Sequence, residues 1–425
     1  MSDSPCRTGW KHRTLASLAE YLNGRAFRED EWGEDGLPIV RIEQINDPSA
    51  ICDRYDGPIL PQHQIGDGDL VFSWSATLKA VIWNSGPAAL NQHLFNVVPH
   101  ADVDLPFLKH LLDMNMERLA ASSQGSTMKH VTRTALERYR ACVPSCKAHQ
   151  ERIAEILSTV DEAIEGTEKL IAKHQQIKAG LMHDLFTRGL TPDGELRSGA
   201  KTLLARFGPI PEGWRVGSLL DIADPGRQPI LTGPFGADLG SKDFVSEGTP
   251  VLRIGNVQAG HLDLRDLLYI TSVKARELAR YAVREGDLLF ARQGATTGRN
   301  ALATSAVAGS IINYHIIRVA LCHRSCAPLF VEAAFKGEMV ERQITREKGR
   351  GTREGIKTSQ LAELRVPLAP LPEQLKIAQI LGEQEARVAA LRDESAKLRQ
   401  IKRGLMHDLL TGEVPVSVSE ADVYA

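Results

Sequence analysis

Apolar residues recur at alternating intervals of four and three along two stretches of the chain. In the first, Ile153, Leu157, Val160, Ile164, Ile171, Leu181 and Leu185 share one a/d frame; in the second, Ile377, Leu381, Val388, Leu391, Leu398, Leu405 and Leu409 do the same. That period is the seam of a coiled coil. Thr167, His174 and Lys178 interrupt the first seam, and Gln384, Ser395 and Lys402 the second. About 38 helical residues span roughly 57 Å. Neither helix is stable alone, and the simplest partner for each is the other. Elsewhere the patterns are shorter. Residues 39–42, 69–73, 80–83 and 311–319 read as strands between turn signals, and 106–123 and 328–347 read as helices.

The two long stretches are copies of one another. Residues 177–185 read I-K-A-G-L-M-H-D-L and residues 401–409 read I-K-R-G-L-M-H-D-L; upstream, Gln150 to Leu157 matches Gln374 to Leu381 at the same offset. Similarity continues outside the helices. Trp10 to Ala19 resembles Trp214 to Ala223, Pro38 to Ile42 resembles Pro250 to Ile254, and Gly68 to Phe72 resembles Gly286 to Phe290. Asn91-Gln92-His93 corresponds to Asn313-Tyr314-His315, and Val143-Pro144 to Val366-Pro367. His183 and His407 near the helix ends read as packing or capping histidines, and Met182 and Met406 as core filler. Each half is therefore an α+β module followed by a long helix. The linker over 190–211 carries Pro192, Gly194, Gly199, Pro209 and Pro211 and shows no strong pattern of its own.

Composition narrows the picture little. Fifty-one basic against 53 acidic residues give a formal net charge of −2, so nothing in the whole-chain balance advertises nucleic acid. A large binder can still concentrate cations on one face. No apolar run reaches the length of a membrane span, and Met1 to Lys11 lacks the apolar core of a secretory signal. The expectation is a cytoplasmic protein with no membrane association, whose cysteines Cys6, Cys52, Cys142, Cys146, Cys322 and Cys326 are free. Zinc at Cys142/Cys146 or Cys322/Cys326 is set aside because neither pair has the C-x-x-C spacing usual in such sites. No metal ligand is expected.

The missing motifs exclude several enzymes. There is no Gly-Lys dipeptide and so no P-loop, no H-E-x-x-H, no G-x-S-x-G, and no G-x-G-x-x-G. There is also no E-x-K or D-x-K of the metal-dependent nucleases and no [DNS]-P-P-[YF] of the amino-methyltransferases. What remains is polar groups beside glycine loops at matching places. Gln124, Gly125, Ser126, Thr127, Lys129, His130 and Arg133, with Arg138 and Arg140, form the first group. Arg350, Gly351, Thr352, Arg353 and Lys357, preceded by Arg342, Arg346 and Lys348, form the second. Glycine and small hydroxyl residues let backbone approach phosphate closely, so these loops are candidates for facing a duplex. The competing reading is a solvated polar face.

These repeats, taken in order, resemble the specificity subunit of Type I restriction-modification enzymes. The signs are the Q-x-x-I-A-x-I-L start, the I-K-x-G-L-M-H-D-L-[FL]-T end, the G-D-L-[VL]-F strand and the glycine loop, over Trp10 to about Gly412. The resemblance implies an α+β fold of two pseudo-repeated target-recognition domains separated by two long antiparallel coiled-coil helices. On that reading residues 1–147 and 212–371 are the recognition domains, 148–189 and 372–412 the spacer helices, 190–211 a linker and 413–425 a tail. It implies sequence-specific recognition of an asymmetric bipartite site in double-stranded DNA, one module per half, with the helix pair as a ruler. Half-sites one turn apart lie about 34–36 Å from each other, within reach of such a pair. It further implies a non-catalytic chain that binds no cofactor. Two methyltransferase subunits using S-adenosylmethionine would join it, and two restriction subunits using ATP and magnesium can follow, to methylate adenine and restrict phage DNA. Ser73 and Trp74 in the first module, and Arg292, Gln293, Thr296 and Thr297 in the second, join the loop residues as candidate DNA contacts. The modules differ there, Ser73-Trp74-Ser75-Ala76-Thr77 against Gln293-Gly294-Ala295-Thr296-Thr297-Gly298, so they are expected to read different sequences. For Trp74, stacking on a base is weighed against ordinary burial, with burial favoured. A scaffold that does not touch DNA, and a stand-alone DNA enzyme with a cryptic site, remain as alternatives.

Overall fold

The computed structural model describes residues 6–121, 130–198, 203–205, 208–348 and 355–418. The first long helix spans Lys147–Arg188 and the second Leu371–Leu410. The chain divides into two compact units, residues 1–169 with 392–425 and residues 170–391, and both cuts fall inside the long helices. Each unit thus holds one module, one half of each long helix, and its own core.

In the first unit, Trp10–Thr14 pairs antiparallel with Arg140–Pro144. A four-stranded sheet follows the order Ala19–Asn23, Leu94–Pro99, Leu70–Ser73, Lys79–Ile82. A second sheet contains the parallel pair Leu37–Val40 and Ala88–Leu90. The second unit repeats this plan with Arg215–Ser218 against Arg365–Leu368. Its first four-stranded sheet runs Ile230–Thr232, Ile316–Val319, Leu288–Ala291, Asn300–Leu302, and the parallel pair is Thr249–Leu252 with Ile311–Ile312. The Gly-Asp turns before Leu70 and Leu288 explain their recurrence. Gly68 and Gly286 have φ of +93° and +83°, where a Cβ is disfavoured. Gly68 N donates to Trp83 O at 2.8 Å and Gly286 N to Ala303 O at 2.8 Å, which starts the hairpin in the same way in both halves.

The strand pairing shifts one sequence correspondence. Arg140 lies opposite Thr14 and Arg365 opposite Ser218, so Val143-Pro144 corresponds to Leu368-Ala369 rather than to Val366-Pro367. The run over 311–319 is also not one strand. It breaks at Asn313, whose Oδ1 accepts from His315 N at 2.9 Å. Asn91 does the same for His93 N at 3.2 Å. The side chain substitutes for a ladder partner and turns the chain. The helix expected over 328–347 is two, Pro328–Phe335 and Glu338–Lys348, with Gly337 between them.

Within each unit the long helices run antiparallel, and His174, Lys178, Gln384 and Lys402 of the seams meet partners on the facing helix. In the first unit Lys402 Nζ lies 2.6 Å from Asp161, Arg399 meets Glu168, and buried Thr167 donates to Ala163 O at 2.8 Å. In the second, His174 faces Gln384 Oε1 at 3.3 Å and accepts from Arg387 Nε at 3.0 Å, and Lys178 meets Glu385. The repeated glutamine that opens each helix is a clip. Buried Gln150 accepts from Asp104 N at 2.9 Å and donates to Pro144 O at 3.1 Å. Buried Gln374 accepts from Ala327 N at 3.0 Å and donates to Ala369 O at 2.8 Å.

The two near-identical helix ends dock in equivalent ways. In the second unit Leu185 packs with Trp214 and Phe330, and the Phe186 ring stacks on Phe330 at 5.1 Å. In the first, Leu409 and Leu410 enter the core with Leu405, Met406 and Trp10 against them. The segment expected to be a patternless linker carries structure. Leu190 is buried, its N–H donates to Glu373 Oε1 at 2.7 Å, and Leu203–Ala205 pairs with Gly208–Ile210. Cys52, Cys146, Cys322 and Cys326 are free, but Cys6 and Cys142 are joined as a disulfide, their Cα atoms 6.0 Å apart. Pairing of Trp10–Thr14 with Arg140–Pro144 brings these two together across 136 residues, which no spacing rule could reveal.

Candidate nucleic-acid interface

One end of each four-stranded sheet gathers the candidate side chains. In the second unit, strand Leu288–Ala291 leaves the sheet where Ile316–Val319 enters it, because Ala291 pairs with Ile316. Arg292-Gln293 and Tyr314-His315 therefore meet. Gln293 Oε1 lies 2.6 Å from His315 Nδ1. The Arg292 guanidinium sits 4.9 Å from the Tyr314 ring centroid, and the ring of exposed Phe235 lies 4.7 Å from that of Tyr314. Gly355 bridges to Gln293, and Ile356 N donates to Arg292 O at 2.8 Å.

The first unit builds the same frame from different side chains. His130 bridges to Ser75, and Val131 N donates to Trp74 O at 2.8 Å. Trp74 thus stands where Arg292 does and Ser75 where Gln293 does. Ser75 Oγ lies 3.4 Å from His93 Nδ1, the counterpart of the Gln293–His315 contact. Ala76 has φ of +57° where Gly294 has +70°, the one described non-glycine in that region. Trp74 lies 5.7 Å from the His93 ring and 6.0 Å from that of His130. A further determinant is a glycine. At Gly24 and Gly233 an added Cβ would run into the backbone of Asn91 and Asn313, so only glycine lets the neighbouring strand pass this loop. Trp74 Nε1, His130 Nδ1 and Arg292 Nε are buried without a hydrogen-bond partner among the described residues.

The candidates divide by exposure. Arg292, Gln293, Thr296, Trp74 and His130 are half-buried at the sheet ends, and Arg133 and Lys357 are exposed. Arg133 Nη2 donates to Tyr21 O at 3.2 Å, and its guanidinium lies 5.9 Å from the Phe95 ring. Two candidates must be withdrawn as contact residues. Ser73 is 0% exposed with its hydroxyl donating to Ser75 O at 3.3 Å, and Thr297 is 6% exposed with its hydroxyl donating to Gly294 O at 2.7 Å. Both hold the loop from inside because their strand and turn positions point inward. Gln124, Gly125, Ser126, Thr127 and Lys129, and Arg350, Gly351, Thr352 and Arg353, lie outside the described residues. Sequence reasoning missed Tyr314, His315, His93 and Phe235; the repeated N-x-H was the signal for the first three.

The same frame thus occurs twice in the chain, once in each unit. The chain matches the Type I restriction modification DNA specificity domain twice, over residues 7–176 and 211–400. It belongs to that family. The EcoBI specificity subunit of Escherichia coli is 24% identical over 378 residues, 87% of this chain and 77% of that one. The MjaVIII specificity subunit of Methanocaldococcus jannaschii is 21% identical, over 96% of this chain and 93% of its own. Among solved structures, the S subunit of the Type I restriction-modification system from M. genitalium aligns with a TM-score of 0.61 at 15% identity, over 96% of this chain and 97% of that one. The specificity-subunit fold, with its duplicated α+β domains, is therefore established for this chain. No helix among the described residues is long and apolar enough to cross a membrane.

Proposed function

We propose that each module of this specificity subunit reads one half of an asymmetric two-part DNA site, with the sheet end at Trp74, Gln92 and His93 or at Arg292, Gln293, Tyr314 and His315 turned to the duplex. The observation that carries this reading is the substitution of side chains on a constant frame. The backbone bridges are the same in both units, yet tryptophan and serine stand where arginine and glutamine stand. A frame shared by the two units, with exchanged side chains at its end, suits base readout, since arginine recognises guanine and glutamine adenine through paired hydrogen bonds in the major groove. The glycine loops and Lys357, Arg133 and His130 supply phosphate contacts that position each module. The long helices fix the distance between the two half-sites.

The chain itself performs no covalent chemistry on this reading. It directs adenine methylation by two methyltransferase subunits, which use S-adenosylmethionine, and restriction by up to two further subunits, which use ATP and magnesium, in the cytoplasm. The test is Gln293→Ala in the assembled methyltransferase. Loss of the amide should cost about 1–3 kcal/mol against the cognate base pair and relax one position of the half-site read by the second module. Methylome sequencing of the host gives the readout. A motif unchanged at every position, with unchanged binding, removes this sheet end from the recognition surface. Methyl transfer or cleavage by the purified chain alone would overturn the non-catalytic role.

A further inference from the structure

The structure assigns a soft-metal site to Cys6, His12 and Cys142 in the first unit, suited to Zn²⁺. Their donor atoms, two sulfurs and an imidazole nitrogen, all lie within 4.8 Å of one another. His12 and Cys142 are direct partners in the antiparallel pair Trp10–Thr14 and Arg140–Pro144. Opposed residues in such a pair stand on the same face, with Cβ atoms about 4.5–5.5 Å apart. Cys6 lies just before the turn that leads into the strand.

The other repeat shows that this cluster replaces something. Gly9 and Gly213 have φ of +83° and +84°, and Trp10 N donates to Arg7 O as Trp214 N donates to Pro211 O. Counting back from these matched turns, Cys6 corresponds to Ile210 and His12 to Val216. Val216 pairs with Pro367 as His12 pairs with Cys142. Ile210 is buried in the core of the second unit, and Val216 packs against that core. Three apolar packing positions in one repeat are thus three metal donors in the other. Thiolate and imidazole are the commonest protein ligands of zinc, and three of them leave the fourth tetrahedral position to water. His12 is exposed and Cys6 and Cys142 are half-buried residues, which gives an ion a path in.

The bound ion would tie the N-terminal segment to the strand that leads into the first long helix at Lys147. The same segment already meets the end of the second helix, where Arg7 Nη1 donates to Glu413 O at 2.7 Å. The site requires both sulfurs as thiolates. A dithiol reductant supplies two electrons to the Cys6–Cys142 bond and itself closes to a disulfide. The two thiol protons leave as the metal binds. The inference departs from the sequence expectation of a metal-free chain, because the ligands come from three separate places in the sequence.

Cobalt serves as the spectroscopic probe. The full chain, reduced with dithiothreitol and stripped with a chelator, should take up one Co²⁺ with a thiolate-to-cobalt charge-transfer band that Zn²⁺ abolishes. Cys6→Ser, Cys142→Ser and His12→Ala should each weaken uptake by more than the roughly 10–100-fold that loss of an outer-shell partner costs. Cys322→Ser should bind as the unaltered chain does. Alkylation rates read by mass spectrometry provide a measurement on the unaltered chain. Zn²⁺ should slow labelling of Cys6 and Cys142 and leave Cys52 and Cys146 unchanged. The inference fails if the reduced chain shows no charge-transfer band, if His12→Ala binds undiminished, if the signal follows Cys322, or if the disulfide persists in reductant without metal uptake.

Discussion

At the scale of single residues, buried polar side chains fix the joints of this protein. Gln374 satisfies Ala327 N–H and caps Ala369 O from a position 2% exposed. Gln374→Ala leaves both groups buried without partners, which costs about 1–3 kcal/mol. Urea unfolding should register that loss, and Gln374→Glu should not restore it, because a carboxylate cannot donate to Ala369 O. His110 is a second such residue. It is 1% exposed, with Nε2 3.2 Å from Ser158 Oγ, and it is faced by Lys109, Asp161 and Lys402. Burial first, then the Lys109 and Lys402 cations, push the imidazole pKa down, against the opposing pull of Asp161. The unfolded imidazole takes a proton near pH 6.5 and the folded one only at lower pH. The unfolded state therefore binds more protons as pH falls, and stability declines below about pH 6.5 by up to about 1.4 kcal/mol per pH unit. His110→Gln should flatten that slope between about pH 5 and 6.5 relative to the unaltered chain. Equal slopes would show that His110 does not titrate in this way.

At the scale of elements, the seams keep their heptad register because their polar members answer one another. Lys402 at a seam position would be costly alone; against Asp161 it is paired. His174 and Gln384 likewise occupy seam positions that meet. Of the interruptions visible in the sequence, His174 and Gln384 are thus partners, and Lys178 and Lys402 each meet an acid of the facing helix, relations that a single helix cannot display. If the helices set the gap between half-sites, length is the variable. One heptad inserted before Ile171 and one after Leu391 preserves both seams. Each adds about 10 Å, or about three base pairs at 3.4 Å. The unspecified gap in the methylated motif should widen by that amount, or methylation should vanish if the duplex cannot follow. An unaltered gap with full methylation would refute the ruler.

At the scale of the whole molecule, duplication gives two modules that can be exchanged one at a time. Each unit has its own sheets and its own core. Replacing residues 1–147 with the corresponding module of a relative should change one half of the methylated motif and leave the other as it was. Change in both halves would mean that the modules do not read separately. Methylome sequencing of a host carrying the chimaera decides between these.

Much of this was written in the sequence alone. Heptad spacing, the repeated Q-x-x-I-A-x-I-L and the Gly-Asp turns are local signals, each set by residues within a few positions of one another. They were enough to specify two long helices, two α+β modules and the family. What lay beyond them depends on pairs far apart in the chain. Only strand pairing could bury Ser73 and Thr297 and set Trp74 against His93 and His130. Only packing could place the end of the first helix on Trp214 and the end of the second on Trp10. Cys6, His12 and Cys142 converge for the same reason, since a fold brings together side chains whose separation along the chain carries no pattern to read.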